Sequence, residues 1–285
     1  MCRAAIGLVL VLLTSSVARA QLVGYEGFDY STGSGLNGLN GGLGWSAAPV
    51  GTWSTSSPTF TIASGSLVPP APANTLTTTG NRLTLPQTAP FTTATRTFGS
   101  DLRSLSGDSA VWISFVITRT ASATTGSYGG LVIGNEAGSG STSGRLFIGD
   151  SGAASPAADT WSLERAGGGT LVSSNFSVST FPTVLLAVRI QFQPGADSVQ
   201  LYVNRPPGGG TPASVDAFLG NLDLNPSNGA VTDFGFWYGG DGGYQIDEIR
   251  IGLTYADVTL VPEPGLLLVT LGITALGIRR FRRRD

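Results

Sequence analysis

The sequence predicts an all-β protein: an antiparallel β-sandwich, with one short apolar helical segment at each end of the chain. Three observations predict it. Short runs alternate apolar and polar residues with the period of two that a half-buried strand requires. No long stretch carries the 3.6-residue period of an amphipathic helix. Glycine is abundant, 41 of 285 residues, and together with Ser, Pro and Asn it separates the apolar runs where turns are needed.

Strands are expected at 59–63, 82–85, 93–98, 111–118, 130–133, 145–148, 161–165, 184–192, 199–203, 233–238 and 244–251. The clearest pair is the hairpin. Leu186, Val188, Ile190 and Phe192 point inward and Ala187, Arg189 and Gln191 outward. Pro194-Gly195 turns the chain, and Val199, Leu201 and Val203 answer with Ser198, Gln200 and Tyr202 facing out. Short strands at regular spacing without helices argue for a sandwich, and residues 21–260 form one such domain. The Gly/Ser-rich stretches 31–44, 134–144 and 205–213 read as loops within it, since strand patterns resume on both sides.

The two ends are of a different kind. Met1-Cys2-Arg3 gives a positive start and Ile6 to Leu13 an apolar core, followed by Ala18-Arg19-Ala20, which fits the small-x-small rule of signal peptidase. Residues 1–20 are therefore expected to be a signal peptide, with Gln21 first in the mature chain. Cys2 leaves with that peptide, so no disulfide would hold the exported protein. At the other end, Val261-Pro262-Glu263-Pro264 precedes the apolar run 265–278 and the cluster Arg279, Arg280, Arg282, Arg283 and Arg284. As a helix the 14-residue run would reach ~21 Å, short of a ~30 Å hydrocarbon core, so spanning requires local thinning and snorkelling arginines. The arginines would stay on the cytoplasmic side, which places the domain outside. Pro262 and Pro264 hold an extended peptide at the membrane surface, the form a processing protease binds.

Pro262-Glu263-Pro264, a short apolar helix and a terminal arginine cluster together resemble the PEP-CTERM sorting signal of bacterial exported proteins. That resemblance implies export, recognition of the tripeptide by an exosortase in the membrane, and association with the cell envelope or extracellular polysaccharide. The alternative is a plain C-terminal anchor. Tyr25-Glu26-Gly27-Phe28-Asp29-Tyr30 with Asn40 to Trp45 is similar to the start of many such secreted proteins. Ile246 to Gly252 with Thr254 to Val258 resembles the last strand of laminin-G-like or concanavalin-like jelly rolls, which implies that the first and last strands lie side by side.

Charge and composition narrow the function. Residues 21–264 hold nine arginines and 17 acids, about −8, so nucleic acid is not an expected partner. Histidine is absent and the one cysteine is Cys2, which removes His-dependent triads, Cys-His dyads and ordinary zinc sites. Carboxylate chemistry survives, but Glu26, Glu136, Glu164, Glu248 and Glu263 are too scattered to pair on one strand, and Asp247 and Glu248 are adjacent and so expected on opposite faces. A non-enzymatic protein is expected, adhesive or carbohydrate-binding; the alternative is an envelope polysaccharide hydrolase drawing an Asp/Glu pair from separate strands. Alternation puts Asp247 with Ile249 and Ile251 on the core side, where a carboxylate needs partners. Either it accepts backbone N–H groups and ties the last strand to a loop, or it shares a structural calcium ion with Glu26 and Asp29. Finally, Phe234, Phe236 and Tyr238 alternate against Trp237. Such a ladder is usually core, whereas Trp237 or Tyr238 exposed beside Gly239 to Gly243 would stack on a sugar ring.

Overall fold

The computed structural model describes residues 21–57, 59–85, 89–106, 110–121, 126–134, 144–151, 159–166, 169–224 and 229–260. In chain order the elements begin with β1 (Gly24–Glu26), β2 (Ser54–Thr55), β3 (Thr61–Ser64), β4 (Asn81–Leu85), β5 (Ala89–Thr97) and the short helix α1 (Leu102–Ser106). Then come β6 (Val111–Arg119), β7 (Tyr128–Gly134), β8 (Arg145–Asp150), β9 (Thr160–Arg165) and β10 (Leu171–Ser177). The chain continues through β11 (Thr183–Gln191), β12 (Asp197–Val203), β13 (Ala217–Leu222), β14 (Asp233–Gly240), β15 (Tyr244–Gly252) and α2 (Tyr255–Thr259).

Two antiparallel sheets face each other. The eight-stranded sheet runs β13-β12-β11-β6-β15-β4-β3 with β1 also on β15, and the seven-stranded sheet runs β10-β9-β8-β7-β14-β5-β2. All the predicted strands form. The predicted hairpin is β11–β12, with Leu186 opposite Val203 and Gln191 opposite Ser198. Asp197 ties its turn by accepting the N–H groups of Gln193 (3.0 Å) and Leu224 (2.9 Å). The first and last strands are neighbours, Gly24 opposite Ile251 and Glu26 opposite Ile249. β1, expected only from the resemblance of its segment, has three residues; three strands had no prediction, β2 with two residues and β10 (LVSSNFS) and β13 (AFLGNL), which alternate only in part.

The sheets meet over one core. Val111, Ile113, Phe115 and Ile117 of β6 face Leu131, Ile133, Phe234 and Phe236 across it. Yet every residue of β6 from Val111 to Thr118 is buried, so its other face is covered too. Two segments cover it. Leu67, Ala73 and Leu76 pack on Val116 and Leu185, while Tyr255 and Val258 of α2 pack on Trp112, Ala187 and Tyr202. Ala187 and Tyr202 do point outward as alternation predicts, but into this cover and not into water. Helix α2 starts at a capping box in which Thr254 Oγ1 accepts the Asp257 N–H and Asp257 accepts the Thr254 N–H. Ser114 Oγ pins it from below by donating to the Val258 carbonyl at 2.6 Å.

The Tyr255 ring lies 5.3 Å from Trp112 and 6.5 Å from Tyr202. Tyr255→Ala opens a cavity there and is expected to lower the unfolding free energy by about 3 kcal/mol in urea denaturation. An unchanged midpoint would show that α2 is a dispensable cover.

Candidate functional site

The three carboxylates expected to share calcium go to three places. In the β15–β6 ladder Asp247 faces Val116 and Arg250 faces Ser114, so Glu248 and Ile249 together oppose the single residue Phe115. This is a β-bulge, with Glu248 in the left-handed region at φ 56°. The extra residue resets the alternation. Ile246, Ile249 and Ile251 all reach the core, while Asp247 is turned to the outer face. There Asp247 accepts the N–H of Leu67 at 2.9 Å and that of Glu248 at 2.8 Å. The expectation that it shares a face with Ile249 and Ile251 is corrected by the bulge; the reading of it as a tie between last strand and loop holds. Burial pushes its carboxyl up to about 8, with the Leu67 N–H opposing and the Glu248 charge adding to the rise.

Glu248, expected on the face opposite Asp247, holds the same outer segment. Its Oε1 accepts the Thr79 N–H at 2.7 Å and its Oε2 accepts two donors of Arg250, Nε at 3.1 Å and Nη2 at 2.7 Å. Arg250 Nη2 also donates to the Thr77 carbonyl at 2.6 Å. Asp29 is exposed on the loop after β1. Among the described residues no three Asp, Glu, His or Cys side chains gather where a metal ion would sit, and Glu26, Asp29 and Asp247 are not brought together as ligands.

Glu26 points inward from β1, opposite Ile249, and meets Arg96 arriving from the other sheet. The two form a buried ion pair. Glu26 also accepts from Phe28 N (2.8 Å), Tyr30 Oη (2.8 Å) and Trp53 Nε1 (3.2 Å). Arg96 gives its remaining donors to the Gly51 and Gly41 carbonyls and to Asn40 Oδ1, at 2.8, 3.2 and 3.1 Å from Nη2. Its guanidinium carbon lies 4.0 Å from the Trp45 ring centre and 5.0 Å from that of Trp53. A further interior carboxylate, Asp150 of β8, accepts from Tyr244 Oη (2.7 Å) and Arg119 Nη1 (3.0 Å). Burial pushes it up to about 6 against the pull of both partners.

The aromatic ladder divides as the alternation predicts. Phe234, Phe236 and Tyr238 are fully buried in the core, and the Tyr238 hydroxyl donates back to the Gly240 carbonyl at 3.2 Å. Tyr238 therefore offers no surface to a ligand. Trp237 lies on the outer face of the seven-stranded sheet with Val132, Phe147 and Ala166. It is itself only 7% exposed, because Phe91 stands edge-on to it at 5.6 Å, and Arg145 lies 5.9 Å from its ring. Phe91 is 52% exposed and tilts toward Tyr128 at 6.5 Å. The open ring of this platform is thus Phe91, a residue the sequence reading passed over by starting its strand at Thr93. Carrying the alternation of Thr97, Thr95 and Thr93 back one more step would have found it.

No family model matches the chain, and no curated protein matches it. Solved structures align with it at low identity. The binding domain of botulinum neurotoxin DC in complex with SialylT has a TM-score of 0.41 and 8% identity over 82% of this chain, which spans 51% of that one. Lectin I-B4 of Griffonia simplicifolia in its metal-free form gives 0.39 and 8%, over 70% of this chain and 98% of the lectin. The cellulose induced protein Cip1 gives 0.38 and 12%, over 71% and 91%. Likeness at this level leaves the ligand of the present chain unaddressed.

At the ends, Gln21 is exposed and its backbone N–H donates to Asp257 Oδ1 at 2.8 Å. Ala18 and Ala20 lie outside the described residues, as do Pro262, Glu263, Pro264, the apolar run 265–278 and Arg279, Arg280, Arg282, Arg283 and Arg284. No helix among the described residues is long and apolar enough to cross a membrane.

Glu26→Gln strands the Arg96 charge in the interior and is expected to cost about 3–5 kcal/mol in chemical denaturation; adding Arg96→Met to it should recover part of that loss, since no unpaired charge remains. A single variant as stable as the parent would show that the pair is not a clamp. The pH dependence has a definite sign. Asp247 and Asp150 both bind their protons more tightly folded than unfolded, so their stabilising contribution is complete below the ordinary carboxylate pKa of about 4. It is lost as pH rises toward about 6 for Asp150 and about 8 for Asp247. The thermal midpoint should therefore fall from pH 5 to pH 8, and Asp247→Asn should flatten the upper part of that slope.

Proposed function

We propose that this chain is an exported, non-enzymatic sandwich protein, sorted to the cell envelope by an exosortase, that binds polysaccharide through the outer face of its seven-stranded sheet. The three-part tail Pro262-Glu263-Pro264, apolar run and arginine cluster supports the address. Half-exposed Phe91 on its Trp237–Tyr128 base supports the binding: an aromatic ring held rigid by its neighbours loses little freedom when a pyranose ring stacks on it. The Gln21 contact agrees with signal-peptide removal. Cleavage after Ala20 would put an α-ammonium where an amide N–H now meets Asp257, turning a neutral donor into a charge-assisted one.

The interior carboxylates argue against hydrolysis. A glycosidase needs two carboxyl groups facing one another across a substrate cleft. Glu26, Glu248 and Asp150 each have an arginine partner inside the protein, and Asp247 is spent on backbone N–H groups. Calcium, if bound at all, would need ligands other than the expected trio.

Two outcomes test these readings. In affinity electrophoresis through polysaccharide gels the full chain, in detergent, should be retarded by at least one polymer without releasing reducing sugar. Phe91→Ala should abolish the retardation with only a small fall in the thermal midpoint, since half of the ring already lies in water, and sugar release that a single Asp or Glu substitution stops would make the protein a hydrolase. For the address, Pro262→Ala with Pro264→Ala should leave an uncut, membrane-retained form; a parent protein that keeps its C-terminus intact in the cell would make the tail an anchor.

A further inference from the structure

The outer face of the seven-stranded sheet carries more than the Phe91 platform. Along β5 the residues sharing that face are Phe91, Thr93, Thr95 and Thr97. Their partners on β14 include Trp237 opposite Thr93, Gly235 opposite Thr95 and Asp233 opposite Thr97. Gly235 has no side chain, so the way from Trp237 to Asp233 is unobstructed on that strand. Beyond Thr97 the row ends in a depression of about 200 Å³ whose walls include Val50, Thr52, Ser54, Thr95, Thr97 and Asp233. Ser54 is exposed, Val50 is 62% exposed, and Thr95 and Thr97 are half-buried. From Phe91 to Thr97 is six residue steps, about 20 Å of extended strand.

We infer that this row is a binding track for an extended, uncharged polysaccharide, with one sugar ring on Phe91 and a further ring of the same chain in the Val50–Asp233 depression. The inference rests on the polysaccharide-binding reading and adds to it the length and charge class of the ligand. The chemistry fits an amphipathic chain. Val50 and Phe91 offer apolar surfaces to the C–H faces of sugar rings, Ser54 and Thr95 offer hydroxyls that both donate and accept, and Thr52 and Thr97, whose protons go to the Pro49 carbonyl and to Asp233, offer acceptors. Asp233 is a further acceptor at the far end, already taking Thr97 Oγ1 at 3.3 Å. Charge sets the class. Asp233 puts a carboxylate on the row; Arg96 also lines the depression but its charge is taken up inside by Glu26, and Arg145 lies against the Trp237 ring, while residues 21–264 carry nine arginines against 17 acids. A polyuronate or sulfated polymer would be repelled.

The test uses the full chain in detergent, in gels containing neutral polymers (dextran, laminarin, hydroxyethylcellulose, galactomannan) or acidic ones (alginate, polygalacturonate). Retardation by at least one neutral polymer and by neither acidic one is expected. Oligosaccharides of the retarding polymer then separate track from platform. A hexasaccharide should bind at least about tenfold more tightly than the disaccharide, ~1.4 kcal/mol. Ser54→Glu, placed on an exposed residue, fills the depression without adding a ring and should remove that advantage while the Phe91 platform keeps its disaccharide affinity, and Thr95→Glu should do the same. Retardation by an acidic polymer, equal affinity for the two lengths, or a hexasaccharide advantage that survives both substitutions overturns the track. Binding that Phe91→Ala abolishes but that is independent of length would leave the platform standing and remove only the track. No retardation by any polymer would remove both.

Discussion

An eight-stranded sheet whose central strands are apolar on both faces cannot leave either face in water, and most of the architecture answers that constraint. β6 is buried from Val111 to Thr118, and β15 is buried at nearly every position. One face is satisfied by the opposing sheet. The other needs a second cover, which segment 65–80 and α2 provide. Neither cover could stand alone, since a five-residue helix and a largely irregular segment have little structure of their own. They are held by polar groups that the last strand aims outward. Asp247 takes the Leu67 N–H, Glu248 the Thr79 N–H, and Arg250 the Thr77 carbonyl. The bulge at Glu248 makes this possible, because without the extra residue Asp247 would join Ile249 and Ile251 in the core.

The Glu26–Arg96 pair solves a different problem, that of joining the two sheets where the chain begins. A buried ion pair costs desolvation that its mutual attraction does not by itself recover. Here further hydrogen bonds offset that cost. Glu26 accepts from Phe28, Tyr30 and Trp53, and Arg96 reaches carbonyls of Gly41 and Gly51 and the amide of Asn40. The pair thereby organises residues 40–51, which have almost no regular structure, around two tryptophans. Replacing it by apolar residues would keep the packing but leave those carbonyls without a common donor.

Much of this was legible in the sequence and some was not, for physical reasons. Periodicity reports a face only while register is unbroken, so it found the hairpin and the ladder of Phe234, Phe236 and Tyr238, and failed at Asp247, one residue before the bulge. It is blind to elements shorter than about one period in each direction, such as β2 and α2. It also cannot distinguish an outward residue in water from one under a cover, hence Ala187 and Tyr202. Arg96 escaped notice because an arginine at an inward position looks like an error in the pattern, when it was the pattern's most informative member. Phe91 was missed at a strand end, where boundaries are least certain.

The same division bears on function. Among the described residues, interior charge has structural partners: Glu26, Glu248 and Asp150 neutralise arginines, Asp247 holds a cover in place, and Asp197 and Asp257 accept backbone N–H groups. Chemistry at those groups would require breaking the contacts that keep the sheets together. The outer face of the eight-stranded sheet is occupied by its own cover along the central strands β6 and β11. On the opposite side Phe91, Thr95, Thr97 and Ser54 put an exposed ring and a row of hydroxyls on one sheet face. With no histidine in the chain and its one cysteine at position 2, carboxylates are left as the side chains for cutting a polymer, whereas the proposed role of holding one asks only for such rings and hydroxyls. On the proposed address, a C-terminal tail that delivers the domain to the envelope would make holding without cutting a complete task. The tail would fix where the domain works, and the seven-stranded sheet what it meets there.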